Sequence, residues 1–207
     1  LASNYFDVAK VDKALRIYDM LIKNEPLAIG YVYALGEKYF NLQQYDKAIE
    51  CYQKCIRQSP YISDYWSSIG QSYEQLGKKE EAMSAYKKCL VYRPTSYKVR
   101  EKLRNLENKK DIFTYFDSTD VYTLIRNSPS AKDYLDDNSI ILSHDIQKVV
   151  YGDGASESKE TIVIKVLNKD GVDEWKEYGI YYNYYSQKLI IEKAEVVKNN
   201  GSKITAE

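Results

Sequence analysis

Along the first half of the chain apolar residues recur at helical spacing; along much of the second half they alternate. The stretch "YVYALGEKYFNL" (31–42) sets Val32, Leu35, Gly36 and Tyr39 on one helical face. A turn, "QQY", leads into "DKAIECYQKCI", whose small Ala48 and large Tyr52 suit close packing against a neighbouring helix. Proline then closes the unit, because it cannot continue a helix. The same grammar returns with a fixed step. Pro26, Pro60 and Pro94 lie 34 residues apart, as do Ala14, Ala48 and Ala82, Tyr18, Tyr52 and Tyr86, and Tyr5, Tyr39 and Tyr73. Gly36 and Gly70 keep the step, and so do Leu35 and Ile69. A helix pair of this kind buries its apolar faces only when stacked on others, so the period predicts an α-solenoid.

In its clearest copy the pattern reads Trp66, Ile69-Gly70, Tyr73, Ala82, Tyr86, Pro94. It resembles the tetratricopeptide repeat, which implies helix hairpins whose first helices line a concave groove. The copy at 29–62 has Val32 at the large aromatic position, and the first copy retains only Tyr5, Ala14, Tyr18 and Pro26. The register also settles the role of the "YDKAIECYQKC" cysteines. Cys55 aligns with Leu21 and Cys89, and Cys51 with Ile17 and Ala85, so these places ask for packing. Metal is not expected, because the single histidine, His144, lies far off in another segment.

By the same register the groove-facing residues are Tyr33, Glu37, Phe40 and Asn41 from one unit and Ser67, Ser68, Gln71 and Glu74 from the next. This mixed, mildly acidic surface suits an extended peptide or partner helix better than a phosphate. Some members of the repeat family clamp a partner's C-terminal carboxylate with lysine and asparagines. Here Tyr33, Glu37, Ser68 and Gln71 occupy those places, which argues against that mode. The competing expectation is a merely solvated helix face.

Past Pro94, "SYKVREKLRNLENKK" keeps Val99, Leu103 and Leu106 in phase but loses the repeat signature, so it reads as a capping helix. Its basic residues Lys98, Arg100, Lys102, Arg104, Lys109 and Lys110 alternate with Glu101 and Glu107, as on a solvated face. The predicted organisation is therefore repeats plus cap over 1–110, a helical linker over 111–138 and an antiparallel β module over 139–207. In the linker, Ser118, Thr119 or Asp120 caps one short helix and Ser128-Pro129 starts another. In the β module "SIILSHDIQKVVY" places Ile140, Leu142, His144 and Ile146 on one face, up to a "GDG" turn. "ETIVIKVLN", "EWKEYGIYYNYY", "KLIIEKAEVV" and "SKITAE" read as the further strands. The fold class is α+β.

The "GDG" turn, "VLNKDG", the tyrosine-rich stretch and "KAEVVKNNG" together resemble a bacterial domain of unknown function. In that family the domain precedes a transglutaminase-like domain in envelope proteins. The resemblance implies a longer domain than the residues here, with Glu207 falling partway through it, and a periplasmic or surface location. The chain starts at Leu1, which leaves room for a leader ahead of it.

Composition changes little in this picture. Of 207 residues, 30 are basic and 30 acidic, so no net field draws the chain to nucleic acid or an anionic membrane. No apolar run reaches the roughly 20 residues of a membrane span. Three cysteines make no even disulfide framework. Tyrosine is in excess, 22 against four phenylalanines, as suits half-buried surfaces. Within "YYNYY", Tyr182 and Tyr184 share one strand face and form a candidate aromatic strip for a glycan or peptide; Tyr181 and Tyr185 share the other. Cross-strand packing is the plainer role.

Nothing pairs a cysteine with His144, and strand neighbours His144 and Asp145 point apart, so no nucleophilic or acid–base site is expected. Asp136–Asp137 and "GDGAS" lack metal-loop spacing, and no glycine-rich phosphate loop follows a strand. No cofactor is called for. The expectation is a non-enzymatic scaffold that binds a protein or peptide segment in the groove. The alternative is the accessory front of a larger transglutaminase-like or peptidase-like envelope enzyme.

Overall fold

The structure is a computed structural model that describes residues 11–184 and 187–205; Tyr5 and Tyr185 lie outside the described residues. The described helices follow the predicted order, with α2 and α3 and then α4 and α5 as full pairs: α1 (Val11–Asn24), α2 (Ile29–Asn41), α3 (Tyr45–Gln58), α4 (Ser63–Gln75), α5 (Lys79–Tyr92) and α6 (Tyr97–Leu106). Two short 3-10 turns (Ile112–Tyr115 and Ala131–Asp133) flank α7 (Val121–Arg126). Strands β1 (Ser139–Val150) and β2 (Ser156–Val166) form a hairpin, followed by α8 (Lys169–Trp175) and the short pair β3 (Glu195–Val197) and β4 (Lys203–Thr205). The fold is α+β, a tetratricopeptide-like solenoid followed by small antiparallel sheets.

The chain divides into two compact units. The first holds residues up to 119 together with 145–161, and the second holds 120–144 with 162–207.

In the first unit the core advances helix by helix. Tyr18, Val32, Leu35, Cys51 and Cys55 form one cluster, Ala48, Tyr52, Ile69 and Ala85 the next, and Ala82, Tyr86, Cys89 and Val99 a third. Each draws on consecutive helices only, as expected of a quasi-one-dimensional stack. The glycines explain the closeness. A β-carbon at Gly36 would lie 2.6 Å from the ring of Tyr52, and one at Gly70 2.5 Å from that of Tyr86. Trp66 secures the turn ahead of its helix by donating Nε1–H to the Pro60 carbonyl at 2.7 Å.

Helices α2, α4 and α6 end alike. A residue at positive φ (Gln43, Gly77 or Asn108) reverses the chain, and the next amide returns to a carbonyl five residues back. These bonds, Gln44 to Tyr39, Lys78 to Tyr73 and Lys109 to Arg104, satisfy carbonyls that the helix leaves open. In register the third falls three residues early, so α6 is shorter by almost one turn.

Also in the first unit, the β1–β2 turn packs on α6. Gly154 takes the positive φ, and Tyr151 N–H donates to the Ala155 carbonyl at 2.8 Å. Asp153 accepts from Ala155 N–H through one oxygen and pairs with Arg100 through the other. The Arg100 guanidinium lies 4.0 Å from the Tyr151 ring centre, and Arg104 donates to the Tyr151 hydroxyl at 2.8 Å. Tyr151 in turn hydrogen-bonds Glu157, which pairs with Arg104 at 3.8 Å. The α6 helix is thus not uniformly charged outward. Arg100, only 9% exposed, and Arg104 are enclosed because fixed carboxylates meet them.

The second unit is organised more locally. Asp120 caps α7 by accepting from the amides of Tyr122 and Thr123, both at 3.1 Å. Ser130, two residues beyond Ser128, caps the 3-10 turn. Asn168 caps α8, so "KDG" forms the first turn of a helix. Tyr122 lies between Lys193 and Lys203 and donates to Glu195 at 2.5 Å. β3 and β4 pair with Val196 opposite Ile204.

Three strand expectations need correction. "EWKEYGIYYNYY" is no strand among the described residues. Trp175 ends α8 and stacks on Tyr178, and Asn183 exchanges two 2.7 Å hydrogen bonds with Gln187 in a local turn. With aromatic residues on both alternating faces, this stretch offers no single side to bury, and no ladder pairs it. "KLIIEKAEVV" is a strand only at its last three residues. In β1 the predicted face breaks at Leu142. Beyond it Asp145, Gln147 and Val149 turn partly inward while His144 and Ile146 are exposed. Gln147 anchors that reversal by donating to the Asp117 carbonyl at 3.2 Å.

Candidate partner-binding groove

The first helices α2 and α4 are joined along a polar seam. The hydroxyls of Tyr33 and Ser68 share a 3.1 Å hydrogen bond, and Ser68 donates to Glu37 at 3.3 Å. Tyr52, reaching up from α3, donates to the same Glu37 oxygen at 2.5 Å. The Tyr33 ring lies 5.6 Å from that of Tyr52 and 5.1 Å from that of Tyr65. Burial, reinforced by the Glu37 carboxylate, pushes the Tyr52 hydroxyl far above the ordinary phenol range, so it stays a donor.

A second node joins α4, α5 and α6. Glu74 accepts from Tyr86 at 2.6 Å and from Lys102 at 2.8 Å. Burial opposes ionisation of Glu74, but those two hydrogen bonds outweigh it and hold its pKa below the usual carboxylate value. Tyr86, like Tyr52, is pushed up by burial and by its glutamate.

The structure therefore sorts the eight groove residues. Tyr33, Glu37 and Ser68 meet in the first node, and Glu74 belongs to the second. Gln71 donates to Ser67 at 3.3 Å within α4, the Phe40 ring lies edge-on to Tyr45 at 5.3 Å, and Asn41 is exposed. Among the described residues Ser67, Gln71 and Asn41 take no part in the bonds that join the helices. Sequence reasoning treated Tyr52 and Tyr86 as space-filling and missed their hydroxyl bonds. The available signal was that a buried phenol needs an acceptor, and each helix pair carries a glutamate within reach.

Cys51, Cys55 and Cys89 are buried in the clusters described above. Burial pushes the Cys51 thiol up to about 11 and Cys55 up to about 12, which keeps both protonated and inert at neutral pH. In the second unit Tyr182 and Tyr184 are exposed, beside a 97% exposed Tyr181, around a shallow open depression shared with Asn183 and Gln187. They sit at a turn rather than along a strand face.

These features make helices α2 to α5 a helical-repeat array of the tetratricopeptide type. Residues 33–61 and 63–96 each match a tetratricopeptide repeat model, and residues 152–207 match a Domain of Unknown Function with solved structure (DUF3857). No curated protein is similar enough to count as a relative. Among solved structures the chain is similar to the first tetratricopeptide domain of Spaghetti (RPAP3) bound to an HSP90 peptide. Identity there is 21%, over 52% of this chain and 85% of that one, with a TM-score of 0.47. It is also similar to MamA, at 18% identity over 52% of this chain and 63% of MamA, with a TM-score of 0.48. The N-terminal domain of stress-induced protein-1 from C. elegans gives 18% identity over 52% of this chain and 89% of that one, with a TM-score of 0.48. No described helix is long and apolar enough to cross a membrane.

Proposed function

We propose that the repeat array is a non-enzymatic scaffold that holds an extended segment of a partner protein along α2 and α4. The observation that supports this most directly is the division of labour along those helices. Tyr33, Glu37 and Ser68 lock the helices together, while Asn41, Ser67 and Gln71 keep polar groups for an incoming backbone. A receptor surface fixed before binding loses little ordering entropy when it is filled. Asn41→Arg with Gln71→Arg tests the reading without touching the lock. On an array of ten-residue peptides followed by fluorescence anisotropy, the double variant should bind the selected peptides at least about tenfold more weakly, with unchanged helicity. Equal affinity, or no peptide bound by the wild type, sinks it.

We infer a second reading from the family resemblance of the β-rich stretch, to which a match at 152–207 adds: these residues form the accessory front of a bacterial envelope enzyme with a transglutaminase-like or peptidase-like domain further on. Its test is the intact mass of the protein isolated from its own cells. A mass near 24.1 kDa removes it. The exposed Tyr182 and Tyr184 support a weaker, glycan-binding variant, which a flat tyrosine-fluorescence titration with cell-wall sugars would end.

A further inference from the structure

Counting 34 residues on from Gly36 and Gly70 reaches Arg104. The glycines admit a tyrosine ring from the second helix of their own unit; an arginine there denies that approach. The second-helix signature fails as well, because Phe116 and Asp120 stand where Ala82 and Tyr86 lie one step earlier. Residues 112–115 make only a 3-10 turn. In the fourth unit of this register α6 is the first helix, and the window 113–126 for a second holds only the end of the 3-10 turn and, in the second compact unit, the six-residue α7.

The β1–β2 turn occupies that place. Tyr151 presents its ring to α6 and donates its hydroxyl hydrogen bond to a glutamate, Glu157, as Tyr52 does to Glu37 and Tyr86 to Glu74. Arg100 stands in register with Trp66 and does the same work toward the preceding turn. Its Nε donates to the Pro94 carbonyl at 2.9 Å, six residues back, as Trp66 Nε1 does to Pro60. Unlike an indole, the guanidinium has donors to spare and gives one to Asp153 while its plane covers Tyr151.

We propose that the Tyr151–Glu157 turn is the C-terminal cap of the repeat array, a β-hairpin standing in for the missing second helix. The match to the domain of unknown function starts at residue 152, so that domain contributes most of the cap. The cap depends on a specific triad in which Arg104 and Glu157 bracket the Tyr151 hydroxyl. Exchanging the two side chains keeps one donor, one acceptor and the ion pair.

Hydrogen exchange on the whole 207-residue chain, read by mass spectrometry, tests this with three variants. Arg104→Glu and Glu157→Arg alone should each speed exchange across 97–106 by about tenfold or more, leaving 45–92 within about twofold of wild type. The double exchange, Arg104→Glu with Glu157→Arg, should bring 97–106 back to within about threefold. Unchanged exchange in the single variants overturns the proposal. So does a double variant as loose as the singles, or a loosening that spreads evenly through 45–92.

Discussion

The array and the second unit hold themselves together by different means. No side chain caps the start of α2, α3, α4, α5 or α6, yet each contributes to a buried cluster. In the second unit Asp120, Ser130 and Asn168 cap every short helix or 3-10 turn, while Val163 is its one buried apolar residue among those described. Where a periodic core is available, packing fixes the helices and local signals become dispensable. Where it is not, side-chain-to-backbone bonds set the conformation residue by residue.

The sharpest way to break this contrast is to remove equivalent bulk from both units. Tyr86→Ala should cost the array about 3–5 kcal/mol, measured by urea unfolding, because a fully buried ring and its Glu74 bond go together. Tyr182→Ala, at an exposed position, should stay within about 0.5 kcal/mol. A comparable cost for both would end the distinction.

Gly70→Ala comes next. Its β-carbon would meet the Tyr86 ring, so a loss of about 1–3 kcal/mol is expected despite alanine's better helix propensity. A gain in the urea midpoint would show that the ring yields. Removing a cap should act only where caps matter. Asp120→Ala should speed amide exchange over 121–126 and leave 45–92 unchanged.

The smallest effect is electrostatic. Glu74 has its carboxyl pKa lowered in the folded array, so its contribution is complete above the ordinary carboxylate pKa and is lost as pH falls through the folded value. The urea midpoint of the array should therefore drop toward pH 3, and Glu74→Gln should flatten that drop. An equally steep profile in the variant would assign it to other carboxylates.

The array was legible in the sequence because its core repeats. Ala48, Tyr52, Gly70 and Tyr86 occupy the places that the 34-residue register assigns them. The hydroxyl bonds of Tyr52 and Tyr86 were harder to see, since register marks size and not donors. Glu37 lies one residue past Gly36, whereas Glu74 lies four past Gly70. Arg100 and Arg104 read as surface because their partners, Asp153 and Glu157, are some fifty residues away in sequence. The tyrosine stretch misled for the opposite reason. Strand propensity describes a fit to neighbours, and around 176–184 there are no paired neighbours to fit.

The arginine pair on α6 also governs how such a protein can change length over generations. A duplication of one 34-residue unit ahead of Pro94 adds a helix pair and leaves Arg100 and Arg104 facing their turn, so the longer array inherits the same ending. A copy spliced in after α6 would meet a side chain where close approach demands none, and would leave the buried Arg100 and the half-buried Arg104 without their carboxylates. Growth is open on one side of the solenoid and closed on the other.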